Sequence, residues 1–174
     1  MSANTATTST PRVGILMGSD TDLPVMRQAS QLLAEFGIGY EIEICSAHRS
    51  PRRTAEYASQ AAERGLKVII VGAGAAAALG GAVAAETTLP VIGVPLATSP
   101  LSGFDSLLSL SMMPAGVPVA TMAVGDAGAR NAAVLAAQIL ALSDPQLAQK
   151  MKEYKRKLAA GVEAKSKKMH EQGE

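Results

Sequence analysis

Short apolar runs alternate along the chain with longer segments whose apolar residues recur every three or four positions. Runs bounded by turn residues indicate buried strands, and the longer period indicates helices that pack on them. Strands are predicted at residues 12–17, 40–45, 68–71, 91–94 and 117–124. Helices are predicted at residues 22–36, 51–64, 102–112, 129–142 and 144–170, and a Gly/Ala-rich segment covers residues 72–87. The pattern predicts an α/β three-layer sandwich, with a parallel sheet and helices on both faces.

A single α/β domain is expected over residues 11–143, because 174 residues are typical of one domain. Residues 1–10 are rich in Ser, Thr and Ala and predict a disordered leader. Residues 144–174 predict an extended amphipathic helix and tail, whose apolar stripe recurs among many lysines. We expect that helix to present a solvated face or to pack on a neighbour rather than on a membrane.

Composition and charge narrow the functional classes. Sixteen basic and fifteen acidic residues leave a net charge of +1, and the chain has only five aromatic residues, so nucleic-acid binding is disfavoured. No run approaches the roughly twenty apolar residues of a membrane span. The only cysteine, Cys45, cannot form an intrachain disulfide, which suits a reducing cytoplasm.

The turn after the second predicted strand carries the clearest candidate chemistry. There Ser46, Ala47, His48 and Arg49 follow an apolar run at once, and such turns in parallel sheets bind ligands. An imidazole can give and take a proton near neutral pH, and the other histidine, His170, lies in the charged tail. A plainer interpretation stays open, in which Ser46 caps a helix and Arg49 pairs with a surface carboxylate.

The turn after the first predicted strand could bind a phosphate. Ser19, Thr21 and Asp22 follow Gly18, where hydroxyls and free helix N–H groups converge. The Lys-Ser/Thr pair of a Walker A loop is absent. Helix capping and ligand binding are equally compatible with Ser19 and Asp22.

Two further segments offer weaker chemistry. The Gly/Ala-rich run from Gly72 to Gly81 follows the third strand and allows a ligand to approach the backbone closely. A nicotinamide-binding motif would instead follow the first strand, with an acidic residue at the end of the next strand, and this run meets neither condition. Helix packing is the simpler explanation. Residues 95–114 form a long segment of the kind that covers a site, but they contain no Gly-x-Ser-x-Gly nucleophile motif. A single internal histidine and a single cysteine also disfavour a zinc site.

The order of the motifs adds a family resemblance across residues 11–144, which make up most of the chain. Gly-Ser-Asp-Thr-Asp, Ser-Ala-His-Arg-Ser-Pro, Ala-Gly-Ala, Leu-Ser-Gly-Phe-Asp-Ser-Leu and Met-Pro-Ala-Gly-Val-Pro-Val-Ala-Thr follow one another along the chain. Together they resemble the class I PurE family, the N5-carboxyaminoimidazole ribonucleotide mutases of purine biosynthesis. The resemblance implies a flavodoxin-like fold, a cytoplasmic homo-octamer with sites between subunits, a small ribonucleotide substrate, and no metal or cofactor.

The same resemblance implies roles for individual residues. Ser19 and Asp22 match residues that hold the phosphoribosyl group, with Thr21 where a serine is usual, and Arg49 matches the phosphate-binding arginine. His48 matches the residue that protonates the exocyclic nitrogen and then deprotonates the ring carbon. The remaining matches face the heterocycle and its carboxylate: Ser46, Ala47, Ala73 and Gly74.

One segment departs from the class I pattern. Where class I members usually have His-Leu-Pro-Gly, this chain has Ala78, Leu79, Gly80 and Gly81, which resembles class II PurE enzymes that carboxylate aminoimidazole ribonucleotide directly with CO2. We therefore expect a mutase with an altered carboxylate pocket lined by Ala78 and Leu79. A direct carboxylase, a non-catalytic ribonucleotide-binding relative and an oxidoreductase are kept as alternatives.

Overall fold

Five parallel strands form the centre of the protein. The computed structural model describes residues 10–172, so all of the predicted leader except Thr10 lies outside the described residues. The sheet order is β2-β1-β3-β4-β5, and each neighbouring pair is parallel. This order confirms the predicted parallel sheet and is that of a flavodoxin-like fold. The strands are β1 (Val13–Met17), β2 (Tyr40–Ile44), β3 (Val68–Gly74), β4 (Val91–Leu96) and β5 (Ala120–Thr121).

Helices cover both faces of the sheet. The helices among the described residues are α1 (Leu23–Phe36), α2 (Pro51–Gln60), α3 (Ala78–Glu86), α4 (Phe104–Ser111), α5 (Asp126–Ala141) and, in a second compact unit that is described separately below, α6 (Pro145–Glu171). Right-handed crossovers place α1 on one face and α2, α3 and α4 on the other, because the chain reverses direction across the sheet after β2. Consistently, α3 packs against both α2 and α4. At the start of α5, Arg130 contacts Gln28 on α1 through a 3.5 Å hydrogen bond. The predicted three-layer sandwich is therefore confirmed.

The central strands are fully buried, whereas the edge strand β2 is half-exposed and charged. Glu41 on β2 accepts hydrogen bonds from the Tyr57 hydroxyl at 2.6 Å and from Arg64 at 2.8 Å. The Arg64 guanidinium also lies 4.4 Å from the centre of the Tyr57 ring. Burial, and then the bond to Glu41, raise the pKa of Tyr57. A side chain at Gly14 would collide with the Tyr57 hydroxyl, so this glycine makes room for the network.

The last strand is much shorter than the prediction of residues 117–124. Only Ala120 and Thr121 pair with β4, since Gly116 has a left-handed φ of +94° and Pro118 has no N–H to donate. Beyond β5, the Gly125 N–H donates to the Pro95 carbonyl at 2.9 Å, which keeps the chain along β4 without a strand.

Three other elements also differ from their predicted bounds: one strand is longer and two helices are shorter. The third strand continues to Gly74 instead of ending at residue 71, because Gly72 and Gly74 pair with β4 in register. The second helix ends at Gln60 rather than residue 64, and Gly65, with φ +96°, reverses the chain. The fourth helix begins at Phe104 rather than residue 102, since Ser102 and Gly103 both have left-handed φ.

The chain divides into two compact units, one ending at Ala136 and the other beginning at Ala137. The predicted domain boundary between residues 143 and 144 stays a prediction. In the second unit, the Asp144 side chain accepts a hydrogen bond from the Leu147 N–H at 3.0 Å and caps α6, and Pro145 occupies its first turn. Among residues 10–172, no helix is both long enough and apolar enough to cross a membrane.

Candidate active site

The carboxyl ends of four strands meet at a pocket with a volume of about 430 Å³. It is lined by the turns after β1 and β2, by the end of β3 and the start of α3, and by Thr98 after β4. The chain departs from β1 toward β2 on one side and returns to β3 on the other, so the pocket lies where the sheet order reverses. Open parallel sheets bind their ligands at this position.

The turn after β1 is organised by a capping box. The Ser19 hydroxyl accepts a hydrogen bond from the Thr21 N–H at 3.3 Å, and the Asp22 carboxylate accepts one from the Ser19 N–H at 3.1 Å. Both side chains also line the pocket. The capping role that the sequence allowed for Ser19 and Asp22 is therefore confirmed, and their ligand-binding role stays a prediction.

Asp22 is the one buried carboxylate of the pocket, with 7% of its surface exposed. Burial raises the pKa of Asp22, because charge is disfavoured away from water. Hydrogen bonds from the Ser19 and Gly18 N–H groups and the charge of Arg49 oppose that rise. Asp22 lines the pocket, where a carboxyl oxygen can accept a hydrogen bond from a ligand hydroxyl.

The turn after β2 is joined to the turn after β1 by Arg49. Its guanidinium donates to the Gly18 carbonyl at 2.7 Å, and its Nε lies 3.4 Å from the Ser46 hydroxyl. The Ser46 hydroxyl also accepts from the Arg49 N–H at 3.2 Å, while Ser50 occupies the N-cap of α2. The plainer interpretation is therefore wrong on both points: Ser46 stabilises the turn before α2, and the hydrogen bonds of Arg49 go to a carbonyl and a hydroxyl.

His48 is exposed at the edge of the pocket, one residue before Arg49. Its imidazole forms none of the hydrogen bonds found among the described residues and is therefore open to a ligand. Arg49 is exposed as well. An imidazole and a guanidinium therefore lie at the same pocket.

The opposite wall is made by backbone and small side chains. Ala75 and Ala77 have left-handed φ values of +49° and +39°, and they turn the chain from β3 into α3. No side chain caps α3, whose first residues, Ala78 and Leu79, line the pocket. Methyl groups leave this wall apolar and allow a flat ligand to approach the backbone closely.

All eleven site residues predicted from the sequence line this one pocket, although their roles stay predictions. Three further lining residues were missed: Gly18, Ala77 and Thr98. Thr98 lies in the segment of residues 95–114 that was expected to cover a site. The predicted strand ended at residue 94, four positions before Thr98, whereas β4 continues to Leu96 and so brings Thr98 to the strand end.

Other candidate chemistry is not assembled in the described structure. Cys45 is a free, buried thiol, and burial raises its pKa. Within residues 10–172, no three His, Cys, Asp or Glu side chains are grouped as metal ligands. The pocket is therefore the place where the predicted chemistry converges.

A sequence model of the AIR carboxylase family matches residues 12–161. The chain belongs to the AIR carboxylase family. An N5-carboxyaminoimidazole ribonucleotide mutase of Thermotoga maritima is 57% identical over 163 residues, which are 94% of each chain. The mutase of the same name from Mycobacterium tuberculosis strain H37Rv is 55% identical over 155 residues, or 89% of this chain and 88% of that one.

Solved structures agree with the family assignment. The crystal structure of Treponema denticola PurE superposes with a TM-score of 0.82 and 31% identity, covering 91% of this chain and 98% of that chain. This similarity confirms the flavodoxin-like architecture predicted for the family. The protein thus has the fold of the AIR carboxylase family, and the polar turns after β1 and β2 line one pocket.

Proposed function

We propose that this protein is an N5-carboxyaminoimidazole ribonucleotide mutase. It moves the carboxyl group from the exocyclic nitrogen of the substrate to the ring carbon, giving 4-carboxy-5-aminoimidazole ribonucleotide. The observation that carries the proposal is the 57% identity, over 94% of the chain, to a relative that bears this name. The convergence of His48 and Arg49 on one pocket supports it.

The polar turns are suited to the phosphoribosyl group. The Arg49 guanidinium, already oriented by the Gly18 carbonyl and the Ser46 hydroxyl, has further N–H groups for a phosphate. The Ser19 hydroxyl donates to Asp20 and the Thr21 hydroxyl donates to Ser19, and we propose that both rotate to donate to the phosphate instead. The Asp22 carboxylate suits a ribose hydroxyl better than the phosphate, which it would repel. This arrangement anchors the substrate by its anionic end.

His48 is proposed to carry out both proton transfers. In the first step, it donates a proton to the exocyclic nitrogen as the nitrogen–carboxyl bond breaks and CO2 is released within the pocket. The ring carbon then forms a bond to that CO2, and His48 takes the proton which this carbon loses. The imidazole returns to its starting protonation state, and the net reaction is an isomerisation without a cofactor.

The apolar wall would confine the CO2 between the two steps. Ala73, Ala77 and Leu79 are almost fully buried and offer no side-chain nucleophile to CO2. Confinement beside the ring converts the recombination into an effectively intramolecular step. Ser46 and Ala47 lie next to His48 in sequence and complete the part of the pocket that would face the imidazole.

One pair of assays tests the function. Purified protein is incubated with N5-carboxyaminoimidazole ribonucleotide or with aminoimidazole ribonucleotide plus bicarbonate, and the 4-carboxy product is measured. We expect product from the first substrate, and its absence there would reject the mutase. Product formed only in the second assay would identify a direct carboxylase, the alternative that Ala78 keeps open because it lines the pocket. Growth of a purine auxotroph carrying the gene separates both enzymes from a non-catalytic binding protein.

We further propose a cytoplasmic homo-octamer. Supporting assembly, α4 and its preceding turn expose large apolar residues at spacings of three and four: Leu101, Phe104, Leu108 and Met112. Such a stripe is typical of a subunit contact. Light scattering should give eight times the chain mass of 17.8 kDa. A monomeric mass would reject the octamer without affecting the site.

A further inference from the structure

The pocket has two chemically different halves. The turns after β1 and β2 contribute its polar side chains, among them His48 and Arg49. The other half is formed by β3, by α3 and by Thr98, which follows β4. The residues that β3 and α3 contribute are glycine, alanine and leucine, so Thr98 alone carries a hydroxyl in this half. It is therefore the one side-chain hydrogen-bonding group that a ligand meets on this side.

Thr98 lies directly against Gly74. A Cβ added at Gly74 would overlap the Thr98 hydroxyl oxygen and would lie 3.0 Å from the Thr98 Cβ. The absence of a side chain at Gly74 thus leaves the space that this hydroxyl occupies. Thr98 is exposed, and its hydroxyl bonds to no other residue in the described part of the chain. The hydroxyl is consequently free to bind a ligand.

The loop that carries Thr98 is fixed at both ends. The fully buried Ser106 hydroxyl lies 3.0 Å from the Leu96 carbonyl oxygen and 2.9 Å from that of Gly103. Between these points, the Ser99 carbonyl accepts a hydrogen bond from the Ser102 N–H at 3.1 Å. The position of Thr98 is therefore set before a ligand binds, which is what precise recognition of a small group requires.

We propose that the Thr98 hydroxyl contacts the substrate and donates a hydrogen bond to its migrating carboxyl group. The inference rests on the mutase function proposed above. A carboxylate placed against an apolar wall is poorly solvated and needs a donor. A hydroxyl rotates freely about its C–O bond, so Thr98 can follow a carboxyl oxygen as the group moves from nitrogen to carbon. Thr98 thereby favours ligands that carry this carboxyl group.

The test compares two ligands that differ only in that group. Calorimetry measures the affinity of the wild type, Thr98→Val and Thr98→Ser for 4-carboxy-5-aminoimidazole ribonucleotide and for aminoimidazole ribonucleotide. Valine keeps the shape and removes the hydroxyl, while serine keeps the hydroxyl. We expect Thr98→Val to weaken binding of the carboxylated ligand by roughly ten- to a hundredfold and to leave the other ligand unchanged. Thr98→Ser should bind both ligands as the wild type does.

Unchanged affinity of Thr98→Val for the carboxylated ligand, or an equal loss for both ligands, would overturn the proposal. Thermal melting confirms that each variant folds, and Thr98→Ala serves as the second variant without the hydroxyl. These measurements need no turnover. If the wild type fails to convert N5-carboxyaminoimidazole ribonucleotide, the mutase function is rejected, whereas the binding comparison alone decides the role of Thr98.

Discussion

The Arg49 guanidinium donates a hydrogen bond to the Gly18 carbonyl at 2.7 Å, and this contact joins two turns that are 31 residues apart in the chain. The turns follow adjacent strands, β1 and β2, whose last residues Met17 and Ile44 are paired in register. Register therefore brings the cation to the capping box of Ser19 and Asp22. A phosphate bound here would meet a site already shaped by backbone hydrogen bonds.

Arg49→Lys tests this arrangement. Lysine keeps the positive charge but loses the planar set of donors that can contact Gly18 and a phosphate together. We expect KM to rise by roughly tenfold or more, because a hydrogen bond to a charged group is worth about 1.5–3 kcal/mol. Arg27→Lys is the matched control, since Arg27 is exposed on α1 and does not line the pocket. Equal KM values for Arg49→Lys and the wild type would contradict the assigned role.

The two histidines form a natural pair for testing proton transfer. His48→Asn keeps a polar group of similar size but cannot shuttle the proton, so kcat should fall by at least about a hundredfold. The affinity for the 4-carboxy product, measured by calorimetry, should change little. His170→Asn, on α6 outside the lining of the pocket, should retain full activity. Normal turnover in His48→Asn would remove His48 from the reaction.

The buried Asp22 carboxyl should make stability depend on pH in a defined direction. Its pKa in the folded protein lies above the ordinary value of 3.8, so the folded state binds the proton more tightly than the unfolded state. The resulting stabilisation is complete below 3.8 and is lost as the pH rises through the folded value. Asp22→Asn removes this titration while keeping an oxygen that can accept from the Ser19 N–H.

Urea unfolding of the wild type and Asp22→Asn over this pH range provides the measurement. The free energy of unfolding of Asp22→Asn, relative to that of the wild type, should increase as the pH rises through the folded pKa of Asp22. Other titrating groups are common to both proteins and cancel in the difference. A difference that is constant with pH would show that burial of Asp22 does not shift its titration.

Gly74 and Thr98 should be energetically coupled. Gly74→Ala forces the Thr98 side chain to move, and overpacking of this kind costs about 1–3 kcal/mol. Adding Thr98→Ala removes the overlapping hydroxyl but keeps the Cβ that lies 3.0 Å from the added methyl group, so it should recover part of the lost stability, as measured by chemical unfolding. Catalytic activity should not recover, because the donor is lost. Simply additive losses of stability in the double variant would show that the two residues do not interact.

The Tyr57 network offers a test away from the pocket. Tyr57→Phe removes the hydrogen bond to Glu41 and should lower the free energy of unfolding by about 1–3 kcal/mol. Gly14→Ala should also destabilise the protein, since its methyl group would collide with the Tyr57 hydroxyl. In a double-mutant cycle, Gly14→Ala should be less costly when Tyr57 is already phenylalanine. Enzymatic activity per folded molecule should stay unchanged in Tyr57→Phe.

Much of the fold could be predicted because its signals are local. The apolar runs at β1 and β3 and the three- to four-residue period of α1 reflect burial of neighbouring residues in one element. Predictions failed where backbone geometry depended on distant partners. Only Ala120–Thr121 of the strand predicted at residues 117–124 is observed, because a strand forms only where its residues pair with β4.

The candidate site could also be predicted only in part, because some of its features are local and others join distant residues. Ser19, Asp22, His48 and Arg49 lie in two short motifs, so their residue types and spacing alone marked them as candidates. The sequence by itself determined the α/β class, the family resemblance and these polar turns. Only the tertiary structure decided that Arg49 reaches Gly18 and that Thr98 occupies the space beside Gly74. Those contacts join residues far apart in the chain, and strand order and register alone bring such residues together.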